Sequence, residues 1–88
     1  MEKGIQVKTK KEEALEAWEA ILAGLVMTKE ADFQDVEERM PKVPKPHVQL
    51  IQLAIKGAGY ATTDLNPDGD WGDQSFASLG NLHTAAHS

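Results

Sequence analysis

The stretch 48–82 constrains the fold most, because short amphipathic helical patterns alternate there with glycine-containing turns. Val48, Ile51 and Ile55 recur at three- and four-residue steps, which places them on one face of a helix. Gly59 is expected to end this helix, since a residue without a Cβ adopts positive φ at little cost. Tyr60 should then fold back onto the last turn.

A second block lies at residues 68–79. It begins DGDWG, and the glycines at positions 69 and 72 allow a sharp turn of the backbone. Asp73 is a fair N-cap for a helix after this turn, because its carboxylate can accept a hydrogen bond from a backbone N–H of the first helical turn. The sequence therefore predicts a turn that leads into another short helix.

The order of these parts resembles the peptidoglycan-binding-like domain, a small three-helix cell-wall module. The family pattern is an aliphatic–Gln pair, a second aliphatic, a Gly–aromatic pair, then Asp-Gly-x-aromatic-Gly-x-x-Thr/Ser and a helix of small and aliphatic residues. Those places hold Ile51, Gln52, Ile55, Gly59, Tyr60, Asp68, Gly69, Trp71, Gly72, Ser75, Ser78 and Leu79. The family's Phe-Gln after the second helix falls on Leu82 and His83. The resemblance covers residues 46–84 and implies a non-catalytic module that binds the cell wall.

The N-terminal half has the apolar spacing of two helices. The first is predicted from residue 10 to residue 27, with Leu15, Trp18 and Leu22 on one stripe and glutamates on the other side. The second is predicted from Asp32 to Met40, with Asp32 or Thr28 as its N-cap and with Pro41 ending it. Ahead of both, the alternation at residues 5–7 indicates a short edge strand or a poorly ordered terminus.

Residues 41–47 separate the two halves. Three prolines within 41–46 are expected to forbid a helix and to favour an extended, fairly stiff segment. We therefore predict an all-α chain with an N-terminal helical hairpin at 1–40, a proline-rich linker at 41–47 and a three-helix module at 48–88.

The composition narrows the classes of function. The net charge of −5 disfavours a nucleic-acid role, because phosphate binding needs clustered Lys and Arg. The apolar stretch 20–27 is too short to span a bilayer, so no membrane role is expected. No signal peptide is apparent, which predicts a protein that is cytoplasmic as synthesised. Cysteine is absent, which excludes disulfides and thiolate zinc sites.

The candidate residues for binding a wall ligand are Tyr60, Asp68, Asp70, Trp71 and Asp73. An exposed aromatic ring can cover the apolar face of a sugar, and carboxylates can hydrogen-bond the amines and amides of stem peptides. Packing in the core is the alternative for both rings, and it is favoured for Tyr60.

Two patterns have the spacing of metal ligands, but no metal or other cofactor is expected. Residues 64–70 match the first half of a calcium loop, yet the twelfth position holds Ser75 where a bidentate Glu is needed. A solvated acidic turn is the alternative. His83 and His87 stand four apart without a third ligand nearby, so a frayed terminus is expected there, and His47 is expected to be an exposed junction residue.

No catalytic constellation is apparent, and the chain is predicted not to be an enzyme. It has no cysteine nucleophile and no Ser/His/Asp arrangement. The carboxylates at 64–73 share one exposed loop, where nothing shields them for acid catalysis.

Two function classes remain. The resemblance implies a peptidoglycan-binding module, which in a chain of this size suits a phage product that acts with a separate lytic or virion protein and is released at lysis or packed into a particle. The alternative is a small acidic interaction or inhibitor protein that uses the same fold as a scaffold. It would dock a protein partner, or a second copy of itself, through Leu15, Trp18 and Leu22. Packing of this stripe on the C-terminal half would favour the peptidoglycan-binding module. Exposure of the stripe would favour the interaction protein.

Overall fold

The computed structural model describes residues 9–87, and this part of the chain is all-helical. The helices are α1 at Lys10–Gly24, α2 at Phe33–Arg39, α3 at Lys45–Gly57 and α4 at Asp73–Ala86, with a short 3-10 helix at Met40–Lys42. The all-α prediction is thus confirmed for these residues, whereas the edge strand expected at 5–7 lies outside them. Within 9–87, no helix is both long enough and apolar enough to cross a lipid bilayer.

Reciprocal side-chain caps fix the starts of α1 and α2. In α1, Thr9 Oγ1 accepts a hydrogen bond from the Glu12 N–H at 3.1 Å, and the Glu12 carboxylate accepts one from the Thr9 N–H at 3.0 Å. Asp32 and Asp35 make the same exchange at the start of α2. Each cap satisfies two backbone donors that have no partner inside the helix. Of the two predicted caps, Asp32 and Thr28, the structure has Asp32.

A left-handed residue ends both α1 and α3. After α3, Gly59 has φ of 88°, and the N–H groups of Gly59 and Tyr60 donate to the carbonyls of Lys56 and Ile55. This is the Schellman arrangement, and it confirms the predicted stop. After α1, the left-handed residue is Val26, with φ of 57°. Helix α1 therefore ends three residues earlier than predicted.

The expectation of an extended proline-rich linker is wrong. Met40–Lys42 form the 3-10 helix, Pro44 is the N-cap of α3, and Pro46 lies inside its first turn. Proline is tolerated there because the first N–H groups of a helix have no intrahelical acceptor to lose. The segment is a tight corner between two helices.

The core draws side chains from both sides of this corner. Helix α1 packs mainly along α4 and also touches α3, so Trp18 is 1% exposed and lies edge-on to the ring of His83, with ring centroids 4.7 Å apart. The buried apolar side chains of the shared core are Ala14, Trp18, Ile21, Leu22, Leu25, Val36, Met40, Val48, Ile51, Ile55, Leu79, Leu82 and Ala86. The two predicted halves thus contribute to one hydrophobic core.

Candidate functional site

The side chain of Gln52 holds the loop between α3 and α4. Gln52 is fully buried, and its Oε1 accepts a hydrogen bond from the Gly69 N–H at 2.8 Å. Its Nε2 donates to the Asp70 carbonyl at 2.8 Å and to Ser75 Oγ at 2.9 Å. A buried amide is costly unless its polar atoms are paired, and here both are. Through Gln52, the tip of the loop is therefore joined to α3, and α3 is joined to Ser75 in the first turn of α4.

Gly69 is required at that tip for two reasons. Its φ is 86°, and a Cβ built on it would lie 2.9 Å from the Lys45 carbonyl oxygen and 2.6 Å from Lys45 Cγ. The loop backbone thus passes directly against the start of α3. Only a glycine fits both the conformation and the space.

A second set of hydrogen bonds fixes the other end of the loop. The Thr62 N–H donates to Ser78 Oγ at 2.9 Å, and Ser78 Oγ donates to the Gln74 carbonyl at 2.7 Å. The Thr62 hydroxyl also donates to the Gln74 side-chain oxygen at 2.7 Å. Both ends of the segment 62–75 are consequently tied to α4.

The acidic side chains of this loop line a groove of about 380 Å³. Asp64, Asp68, Asp70 and Asp73 all belong to it and are exposed. Asp68 Oδ1 accepts a hydrogen bond from the Asp70 N–H at 2.9 Å, and Asp70 forms an exposed ion pair with Lys45 at 3.1 Å. The N-cap predicted at Asp73 is wrong, because Gly72 is the N-cap, without a side-chain bond, and Asp73 is the first helical residue.

Trp71 lies on the other side of the same loop. It lines a groove of about 320 Å³ together with Val43, Lys45, Val48 and Asp70. Its ring is half-buried and meets the Phe76 ring edge-on at 5.5 Å between centroids. Asp70 and its partner Lys45 therefore stand between an acidic groove and an aromatic one.

Comparison of the chain with family models, with curated proteins and with solved structures found no match. The resemblance to the peptidoglycan-binding-like domain therefore rests on the motif residues alone.

The structure brings four of the five predicted ligand residues together and sets the fifth apart. Asp68, Asp70, Trp71 and Asp73 share the loop, whereas Tyr60 packs partly against the core and lines a different groove with Lys10 and Glu13. Tyr60 thus lies where core packing was favoured for it.

The stripe predicted to dock a partner is covered by the chain itself. Trp18 and Leu22 are each 1% exposed, and Leu15 is half-buried against the same core. These side chains are therefore not presented to a second protein in this structure.

His83 lies in the last turn of α4, and His87 is the C-cap of this helix. Within residues 9–87 no group of three or more His, Cys, Asp or Glu side chains is placed to hold a metal ion. The expected fraying is wrong, because α4 continues to Ala86. The rings of His83 and His87 lie beside Trp18, with their centroids 4.4 Å apart and their planes tilted by 38°. Burial lowers the pKa of His83, and the neighbouring His87 lowers it further, while the Asp32 carboxylate opposes both. His47 is half-buried rather than exposed.

Sequence reasoning missed two residues that shape the site. Gln52 entered only as part of a family pattern, although a lone amide beside the apolar face of a helix is a signal that something polar lies opposite. Lys45 stood in the supposed linker and gave no signal, because its contacts with Gly69 and Asp70 are made across 24 residues or more of sequence.

Proposed function

We propose that the protein is a non-catalytic cell-wall binding module whose loop 64–73 contacts peptidoglycan. The observation that carries this proposal is the hydrogen-bond network of Gln52. The motif residue Gln52 is buried and hydrogen-bonds Gly69 and Ser75 of the second motif block, 17 and 23 residues further along the chain. A chance match of short motifs would not be expected to place its members in mutual contact.

The loop offers the chemistry that wall fragments require. Its acidic groove presents carboxylates to the amines and amides of stem peptides, and Trp71 presents part of a ring beside it for a sugar face. The backbone beneath them is held by Gln52, Ser78 and Thr62, so little ordering is needed when a ligand binds. Both grooves are open, so binding should be weak.

Co-sedimentation with purified sacculi at low salt tests the proposal. Wild type should pellet with the sacculi, and Asp64→Asn/Asp73→Asn should pellet several-fold less, because two carboxylates that face the groove lose their charge. The matched control is Glu30→Gln/Glu38→Gln, which removes the same charge at exposed positions outside the loop and should pellet like wild type. Trp71→Ala should also abolish pelleting while keeping its helical circular dichroism. Failure of wild type to pellet would overturn the proposal.

A further inference from the structure

We propose that a second surface, the groove between α1 and α3, docks a helix of a partner protein whose apolar face is flanked by basic side chains. The groove has a volume of about 150 Å³ and includes Ala20 and Gly24 of α1 and His47, Leu50 and Ala54 of α3. None of these residues lines the acidic or the aromatic groove of the loop. The proposal is therefore independent of wall binding.

The floor of this groove is kept low by small residues. Ala20 and Gly24 stand one turn apart on α1, and Ala54 faces the groove from α3. A Cβ at Gly24 would lie 3.2 Å from His47 Nε2, so even a methyl group would enter the groove and press on that ring. Small residues on two neighbouring helices leave a depression that a large apolar side chain of another helix can fill.

The surface of α3 beside the groove is apolar and uncharged. Leu50 is 65% exposed and Leu53 is 46% exposed, and both lie on the outward side with Pro46 and Gly57. Val26, two residues after Gly24, is 89% exposed although a β-branched residue is unfavourable at its positive φ. Of these three exposed side chains, Leu50 is the one that lines the groove, so it is the one that a docked helix would cover.

The charged side chains near the groove indicate which kind of partner helix would bind there. Glu16 and Glu13 are exposed and lie on the same face of α1 as Ala20, one turn and two turns before it, respectively. This acidic edge, in a chain of net charge −5, complements basic side chains. A second copy would bring the same carboxylates, and an anionic lipid surface would be repelled by them.

The length of the groove sets the size of the helix that fits. His47 and Ala54 are seven residues apart, which corresponds to about 10 Å along α3. A partner helix would therefore engage through about two turns, with apolar anchors at spacings of three, four and seven residues.

Binding of two synthetic peptides tests the proposal. The first is a fluorescein-labelled 18-residue helix with leucines on one face and lysines on both flanks, and the second carries glutamates in place of the lysines. Fluorescence anisotropy should show binding of the lysine peptide and at least about tenfold weaker binding of the glutamate peptide. Amide shifts in NMR spectra should centre on Ala20, Gly24, Leu50 and Ala54.

Matched variants show whether the lysine peptide binds in this groove or is attracted non-specifically to an acidic protein. Leu50→Gln should weaken binding of the lysine peptide about tenfold. Leu53 is an exposed leucine on the same helix but outside the groove lining, so Leu53→Gln should change the affinity for this peptide less than twofold. Gly24→Ala fills the groove, and urea unfolding of this variant against wild type shows whether its contact with His47 also changes stability. Gly24→Ala should also weaken binding of the lysine peptide.

Three results would overturn the proposal. The first is equal binding of both peptides. The second is binding that Leu50→Gln and Gly24→Ala leave unchanged. The third is a wild-type dimer that Leu50→Gln dissociates, which would make the face an interface between copies of this chain.

Discussion

The Gly69 N–H and Gln52 Oε1 are joined by a buried hydrogen bond of 2.8 Å that ties the loop tip to the middle of α3. The same amide group reaches the Asp70 carbonyl and the Ser75 hydroxyl, so one side chain holds three points of the loop and of α4. The shape of both loop grooves depends on this side chain.

Replacement of Gln52 should therefore be among the most damaging single changes. Gln52→Leu keeps the volume but leaves the Gly69 N–H and the Asp70 carbonyl without their partner, which should cost about 3 kcal/mol of unfolding free energy. Urea unfolding followed by circular dichroism measures it. The matched control is Gln49→Leu, which removes one exposed bond to the Pro67 carbonyl and should cost less than about 1 kcal/mol. Equal losses in the two variants would contradict the anchoring of the loop by Gln52.

Comparison of Gly59 with Gly69 separates the cost of a side chain at positive φ from the cost of a steric clash. Gly59 and Gly69 have almost the same φ, but a Cβ on Gly59 would meet nothing within 4 Å, whereas one on Gly69 would strike Lys45. Gly59→Ala should cost about 1 to 2 kcal/mol from its conformation alone. Gly69→Ala should cost about 2 kcal/mol more, because the loop must move away from α3. Thermal unfolding of both variants against wild type gives the comparison, and equal costs would show that the close approach is absent.

Val26 occupies the position that glycine fills at the end of α3. Its φ of 57° is unfavourable for a β-branched residue, and its side chain is 89% exposed. Val26→Gly should therefore stabilise the protein by about 1 kcal/mol, as measured by urea unfolding. Val26→Ala should gain less, because it still carries a Cβ at positive φ. A loss of stability in Val26→Gly would mean that this side chain makes contacts the structure does not show.

The pair of histidines beside Trp18 should make stability depend on pH. Burial lowers the pKa of His83 below the ordinary 6.5, so the unfolded chain binds a proton more readily than the folded one. The stabilising contribution is complete above pH 6.5 and is lost as the pH falls from there through the lowered pKa of the folded state. NMR titration of the ring protons should place the His83 midpoint below 6.5.

A variant at His87 tests the cause of that shift. His87→Gln removes the electrostatic effect that lowers the pKa of His83, so it should raise the His83 midpoint towards 6.5. The Asp32 carboxylate pulls in the other direction, so Asp32→Asn should lower the midpoint further. A His83 midpoint at or above 6.5 in wild type would contradict the lowered pKa of this ring.

Local chemistry explains which parts of the fold can be predicted from sequence. The cap at Asp32 and the stop at Gly59 depend on a few neighbouring residues, and both are predicted correctly. The prediction for the proline segment is wrong because a proline breaks a helix interior but suits its first turn, and residue spacing does not show where a helix begins. The burial of Trp18 depends on how α1 lies on α4, which no local pattern specifies.

The site itself is predictable only as a set of residues on one loop. Asp68, Asp70, Trp71 and Asp73 are close together in sequence, so their proximity is expected. Their division into an acidic groove and an aromatic groove is not, because it depends on the anchoring of Gly69 and Asp70 by Gln52 across 17 and 18 residues of sequence.

NMR titration of isotope-labelled protein with soluble disaccharide-peptide fragments of peptidoglycan tests the central claim most directly. We expect shifts of the backbone amides of residues 64–75 and of the Trp71 indole N–H, with the amides of α2 unchanged. The same fragments should leave Asp64→Asn/Asp73→Asn largely unshifted while its spectrum stays folded. Absence of shifts in wild type at millimolar fragment, or shifts confined to other surfaces, would contradict the claim that this loop binds the cell wall.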